Sequence, residues 1–360
     1  MKQNLLLFSA LAFILAACAP DRAVTPEEVS PVHQEKNAVY YWKTVFSPDS
    51  LDRDFLKKHD IGRIYLRMFD VAADVRESPI LEDRVIPNAT VRISDEDYGY
   101  LNDSLSHIEF VPVVYITLDA LKTMEGYEEV LASNIVSRVD NMCAYNSLPL
   151  VKEIQLDCDW TQSTERSFFA LCDSVRSNIR RRDIPWRLSS TIRLHQLSRP
   201  VPPVDNGVLM VYNTGSFDNP DAKNSIIDRE DVEPYLRHLA NYPLHLDVAY
   251  PTYSWQLLFR NRKFAGLLNG LDLTDRNDFT PCGPNKFMAV RDIPYRNRVI
   301  YEGDIVRSEI SAFKDIDEVK KLIESHLSER PHSNILYHLD SNNLSNYSDN
   351  EISSLFAAGR

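Results

Sequence analysis

The stretch Glu153-Ile154-Gln155-Leu156-Asp157-Cys158-Asp159-Trp160 decides how this chain is read. Ile154, Leu156, Cys158 and Trp160 fall on one parity, and Gln155, Asp157 and Asp159 on the other. Successive side chains of a strand point to opposite faces, so this segment has one apolar face and one polar face. In a closed barrel of parallel strands the helices cover the outside. The apolar parity then turns outward, and the two aspartates turn in, near the C-terminal end of the strand where such barrels build their sites.

Working outward, short apolar, β-branched or aromatic runs alternate with amphipathic segments, the pattern of βα units around a parallel sheet. Eight strands are expected, at 39–45, 61–69, 109–116, 151–159, 186–193, 207–213, 244–250 and 334–340. Helices are expected at 49–59, 118–145, 162–181, 231–242 and 316–327, each with apolar residues three and four apart. The fold class is therefore α/β, a single (β/α)8 TIM-type barrel over residues 38–360. Residues 70–94 and 272–307, rich in proline and polar residues, read as insertions on the side of the site.

The same parity test gathers further groups at the mouth. The second strand offers Arg67 with Asp70 beyond it, and the first Tyr40 and Trp42. The fifth offers Thr191, Arg193 and His195, while Tyr212 and Asn213 close the sixth. The seventh offers His245 and Asp247, and the eighth His338 and Asp340 opposite Tyr337. Charged groups are costly as core and ordinary in a polar pocket. The bland alternative is that Arg67 and Arg193 merely satisfy Asp157 and Asp247.

The first 37 residues read differently. Lys2, an apolar run over 5–17 and then Leu15-Ala16-Ala17-Cys18 follow the order of a secretory signal and resemble the bacterial lipobox. The run is too short to cross a bilayer, which takes roughly 20 residues. The expectation is a signal peptide over 1–17, a lipid on Cys18 and a polar tether over 18–37. The protein would be held by that lipid in the membrane of the cell envelope, facing the periplasm or the exterior. With 52 acidic residues against 40 basic ones and no dense Lys/Arg block, nucleic acid is excluded as a partner. Cys143, Cys158, Cys172 and Cys282 show no CxxC pair or zinc spacing, which argues against a structural metal, and their spacing gives no disulfide pairing. The sequence calls for no cofactor.

Residues 154–160 followed by Ser163-Thr164-Glu165-Arg166-Ser167-Phe168-Phe169 resemble an uncharacterised bacterial lipoprotein family with a glycoside-hydrolase-like TIM barrel, whose fourth strand ends in Asp-x-Asp. Arg187-Leu188-Ser189-Ser190-Thr191 is similar to its fifth strand, and the run from Val204 to Gly215 to its sixth. The fourth-strand motif also looks like that of family 18 chitinase-type hydrolases, Asp-x-x-Asp-x-Asp-x-Glu. Here Ile154 takes the place of the first aspartate, and Thr161 that of the glutamate that would act as general acid.

Cleaving a glycosidic bond needs one carboxyl to protonate the leaving oxygen and usually a second as base or nucleophile. Asp157 and Asp159 lie about 6–7 Å apart on one wall. A partner is therefore expected from across the mouth, Asp247 or Asp340, with Glu309 a weaker candidate. Arg67, Trp160, Arg193, His195, Tyr212 and His338 are the expected ligand-binding residues, and Tyr250 and Trp255 could also stack on sugar faces. Two functions stay open: a hydrolase acting on envelope glycans, and a non-catalytic barrel that binds a glycan or another envelope partner. A divalent-metal site on Asp157, Asp159 and His195 or His338 is a third.

Overall fold

The computed structural model describes residues 35–74, 76, 80–327 and 331–357. The expected signal peptide, the lipidation expected at Cys18 and the expected tether as far as residue 34 lie outside the described residues.

Eight parallel strands close into a barrel: β1 (Asn37–Tyr41), β2 (Ile61–Ala73), β3 (Glu109–Ile116), β4 (Glu153–Asp157), β5 (Arg187–Arg193), β6 (Asn206–Met210), β7 (Leu246–Pro251) and β8 (Asn334–Tyr337). Each pairs with the next, and β1 pairs with both β2 and β8, so the ring has no free edge. Full closure is what removes the exposed hydrogen-bonding edge of a sheet.

Helices cover the outside for the reason the parity of β4 implies. Ile154, Leu156, Cys158 and Trp160 are fully buried on the outer face. Helix α1 (Ser50–Lys58) starts where the Asp49 side chain accepts the Asp52 backbone N–H. Helix α2 (Glu128–Tyr145) buries Leu131, Ile135, Val139 and Cys143, and α3 (Glu165–Arg181) buries Phe168, Leu171, Cys172 and Val175, each a stripe at helical spacing. Trp160 lies near-parallel to Phe168, with centroids 6.0 Å apart, and edge-on to Phe169 at 5.4 Å. The single helix expected over 118–145 is broken: Leu118–Thr123 ends before Gly126, whose φ of +83° suits glycine, and α2 follows. The expected helix over 231–242 shrinks to Arg229–Val232 and a 3-10 turn, Glu233–His238, with Pro234 at its start.

The insertion after β7 begins sooner than the proline pattern indicated. It is a five-stranded antiparallel sheet, with Ser254–Arg260 and Ile305–Ile310 paired at its centre and its own core of Leu258, Phe279, Ile300 and Val306. After β2, residues 85–88 fold back antiparallel onto the strand's end. Cys143, Cys158 and Cys172 are buried and free, and Cys282 is exposed and free.

Candidate functional site

The barrel interior is filled in layers. At the N-terminal end lie Arg63, Glu109, Glu153, Arg187, Asn206 and Asp247, each among the first three residues of its strand. Arg63 reaches Glu109 at 3.5 Å and Asp247 at 3.6 Å, Arg187 reaches Glu153 at 3.3 Å, and Lys36 closes on Glu109 at 3.0 Å. Above them Tyr40 donates to Gln155 at 2.7 Å and stacks on Tyr65, with Val111, Val208 and Ala249 filling the ring.

The C-terminal end carries the second polar layer. Asp157 is buried; it accepts from the Thr191 hydroxyl at 2.6 Å and from Arg193 Nη2 at 3.1 Å. Arg193 Nε is bonded to Asp159, Nη1 donates to the Tyr212 hydroxyl at 3.3 Å, and its guanidinium lies 5.5 Å from the Tyr212 ring centre. The Asp159 side chain is 47% exposed. One arginine thus clamps a buried and an open carboxylate. Burial pushes the Asp157 carboxyl above its usual range, against the pull of Arg193 and with Asp159 adding to the rise. Burial, reinforced by the same two aspartates, pushes the Tyr115 hydroxyl up to about 12.

A second arginine, Arg67, forks onto Asp70, with Nε donating at 2.8 Å, and lies 5.2 Å from the Trp42 ring centre. Trp42, Tyr337, Tyr212 and Tyr253 form a partly open wall, with Tyr337 stacked on Tyr212 at 4.5 Å. A pocket of about 250 Å³ opens beside it, lined by Asp159, Arg193, His195, Tyr212, Asn213 and Thr214. A larger groove of about 690 Å³ on the barrel flank shares none of these residues.

The structure therefore unites Arg67, Asp157, Asp159, Arg193, His195 and Tyr212 around the mouth, and separates six other candidates from it. Asp247 sits in the opposite layer, where the backbone N–H of Ser333 donates to it at 2.7 Å; it is the second residue of β7 and so belongs to the barrel floor. Asp340 caps the turn Ser341–Leu344 and pairs with Lys43 at 3.0 Å. His338 lies beside that pair, and burial lowers its pKa. β8 ends at Tyr337, so alternation does not carry into residues 338–340, and Tyr337 is the residue that points inward. Trp160 is fully buried against α3, as its outward parity demands, and cannot stack on a ligand. Tyr250 is likewise buried in the outer core. Glu309 is sealed: Arg307 binds it at 2.7 Å, and Trp255 and Ser225 donate at 2.6 and 2.5 Å. Asn213 and Tyr253 join the site unassigned or unnoticed. Tyr253 lies just past β7 and donates to Asn213 at 2.6 Å, and its position after a Pro-Thr break was the only sequence signal. Among the described residues no group of three His, Cys, Asp or Glu side chains is arranged to hold a metal ion, and Arg193 already bridges Asp157 and Asp159.

No protein-family model matches the sequence, and no curated protein matches it significantly. Solved structures do. A chitinase from Chromobacterium violaceum aligns over 89% of this chain and 98% of its own at 10% identity, TM-score 0.53. Catalytic domain 2 of an Ostrinia furnacalis Group II chitinase, solved in complex with penta-N-acetylchitooctaose, aligns over 89% and 95% at 10% identity, TM-score 0.54. The Bacillus cereus spore cortex-lytic enzyme SleL aligns over 89% and 75% at 12% identity, TM-score 0.52. At such identities the likeness establishes the barrel fold, and the site must be argued from its own residues.

Proposed function

We propose that this is a lipid-anchored protein of the cell envelope whose barrel mouth binds a glycan. The observation that carries the reading is the pairing of Asp159, half-exposed and held by Arg193, with the partly open aromatic wall of Trp42, Tyr212 and Tyr337. An oriented carboxylate can accept from sugar hydroxyls, and aromatic faces cover the apolar side of a ring. The fold shared with chitinases and a cortex-lytic enzyme agrees with a carbohydrate ligand.

Binding is favoured over hydrolysis by the placement of the carboxyls. Asp247 and Asp340, the partners a hydrolase would need from across the mouth, face elsewhere, and Asp70, Asp157, Asp159 and Glu309 are each paired with arginine. Hydrolysis remains the second reading because of one observation: Asp157 and Asp159 occupy unlike environments, buried and open, as acid and base pairs do.

The test is a glycan-array screen run beside a panel of reporter glycosides. Retention of a glycan without turnover supports the proposal; turnover that disappears in Asp159→Asn favours the second reading; neither retention nor turnover contradicts both. For the anchor, metabolic labelling with a lipid analogue should mark the wild type, and equal labelling of Cys18→Ala would refute it.

A further inference from the structure

The flank of the barrel carries a second cavity that the glycan reading does not use. Between α2 and the folded-back strand Val85–Asn88 runs the groove of about 690 Å³, within the roughly 300–1,000 Å³ typical of small-molecule sites. Its floor is apolar: Phe69, Val71, Leu131 and Ile135 line it, and Ile86 and Met142 are also among its walls. The floor residues are themselves no more than 4% exposed, while Ile86, at 37%, and Tyr145, at 82%, leave apolar area in contact with water at the rim, which is unfavourable.

One charge stands in this apolar setting. Arg138 projects from α2 into the groove lining, its guanidinium 5.0 Å from the Phe69 ring centre. Nη2 donates to the Thr90 hydroxyl at 3.2 Å, and Nε is buried without a hydrogen-bond partner. Among the described residues no carboxylate pairs with it. The other polar side chains of the lining, Asn134, Ser137, Asn141 and Tyr145, share its helix and are uncharged, and the Ser137 hydroxyl is taken up by the Ser133 carbonyl and Arg182. A cation flanked by neutral donors above an aliphatic floor is complementary to a molecule with an anionic head and an apolar tail. Arginine matches the planar, two-oxygen geometry of a carboxylate particularly well.

We infer that this groove binds an alkyl-chain carboxylate, with the head on Arg138 and the chain along Phe69, Val71, Leu131 and Ile135. The fixed positive charge sets the selectivity. A carboxylate gains a charge-assisted hydrogen bond, whereas a quaternary ammonium of equal chain length meets a like charge over the same apolar floor. Affinity rises with chain length while the tail still finds apolar wall, by roughly fourfold per methylene.

The experiment is titration calorimetry on the protein with decanoate and decyltrimethylammonium, each below its micellar concentration, with octanoate as the length control. Decanoate should bind at least tenfold more tightly than the ammonium and clearly more tightly than octanoate. Arg138→Gln should remove the preference, and Asn134→Trp, which fills the groove from an exposed helical position, should abolish decanoate binding. Should Arg138→Gln fail to fold, the two probes on the wild type and Asn134→Trp still decide the matter. The inference is overturned if decanoate does not bind, if both head groups bind equally, or if Asn134→Trp binds decanoate like the wild type. None of these residues lies at the mouth, so glycan binding should be untouched throughout.

Discussion

The two ends of the barrel hold the same chemistry, arginine against carboxylates, and differ in what surrounds it. At the floor Arg63, Glu153 and Asp247 are wholly buried, and Arg63, Arg187 and Lys36 offset Glu109, Glu153 and Asp247. At the mouth Arg193 holds Asp157 just as firmly, but its second partner, Asp159, opens onto a pocket with aromatic walls. A closed, balanced cluster contributes to structure, while a clamped but open one is available to a ligand. The difference lies in the carboxylates: Glu109, Glu153 and Asp247 are no more than 5% exposed, although Lys36 and Arg187 beside them reach 21% and 24%, whereas Asp159 is 47% exposed.

The largest effect should come from breaking the floor. Arg63→Met leaves Glu109 and Asp247 buried with one fewer counter-charge and should lower stability by about 3–5 kcal/mol, read from the urea midpoint. Asp159→Asn at the mouth, where the side chain is nearly half in water, should change stability by no more than ~1 kcal/mol. Equal losses at both ends would erase the distinction drawn here. Next in size, Trp42→Ala removes a ring from the open wall and should weaken glycan binding about tenfold, ~1.4 kcal/mol, in a direct titration.

The ends should also answer pH with opposite signs. Burial raises the Asp157 pKa in the folded state, so its protonated form is favoured there. Its contribution is fully present below the unfolded carboxylate pKa and is lost as pH rises through the folded value. Burial also pushes Glu109 upward, but Arg63, Lys36 and Arg187 outweigh it and leave its pKa lowered. Its contribution is present above the unfolded pKa and disappears as pH falls through the folded one. Urea midpoints measured from pH 3 to 7 should therefore show Asp157→Asn gaining on the wild type as pH rises, and Glu109→Gln losing ground over the same span. Parallel pH curves for the two variants would contradict the assignment. The smallest effect is expected from Asp340→Asn, which leaves Asn343 capped and should shift stability by only a few tenths of a kcal/mol, with glycan binding unchanged.

Much of the barrel is legible in the sequence. Alternation in β4 turned Asp157 inward correctly because that strand runs to Asp157 with an unbroken apolar face against α3, while Asp159, two residues past the strand's end, meets the same arginine from the following loop. Parity, however, says in or out and never top or bottom. Asp247 points inward as expected, but β7 begins only at Leu246, which puts the aspartate on the floor. Parity also fails where a strand stops: β8 ends at Tyr337, and Asp340 becomes a helix cap. Trp160 was a conflict within the sequence reading itself, since its outward parity already excluded the sugar-stacking role given to it. The wall of Tyr253 and Tyr337 depends on contacts between distant strands, which no local pattern encodes.

The most direct test of the account is a calorimetric titration of a glycan taken from the array with three proteins: wild type, Asp159→Asn and Asp247→Asn, each with its urea midpoint. The account predicts that Asp159→Asn keeps its stability and loses binding, while Asp247→Asn loses stability and, once folded, binds like the wild type. Wild-type affinity in Asp159→Asn, or a loss of binding in folded Asp247→Asn, would contradict it.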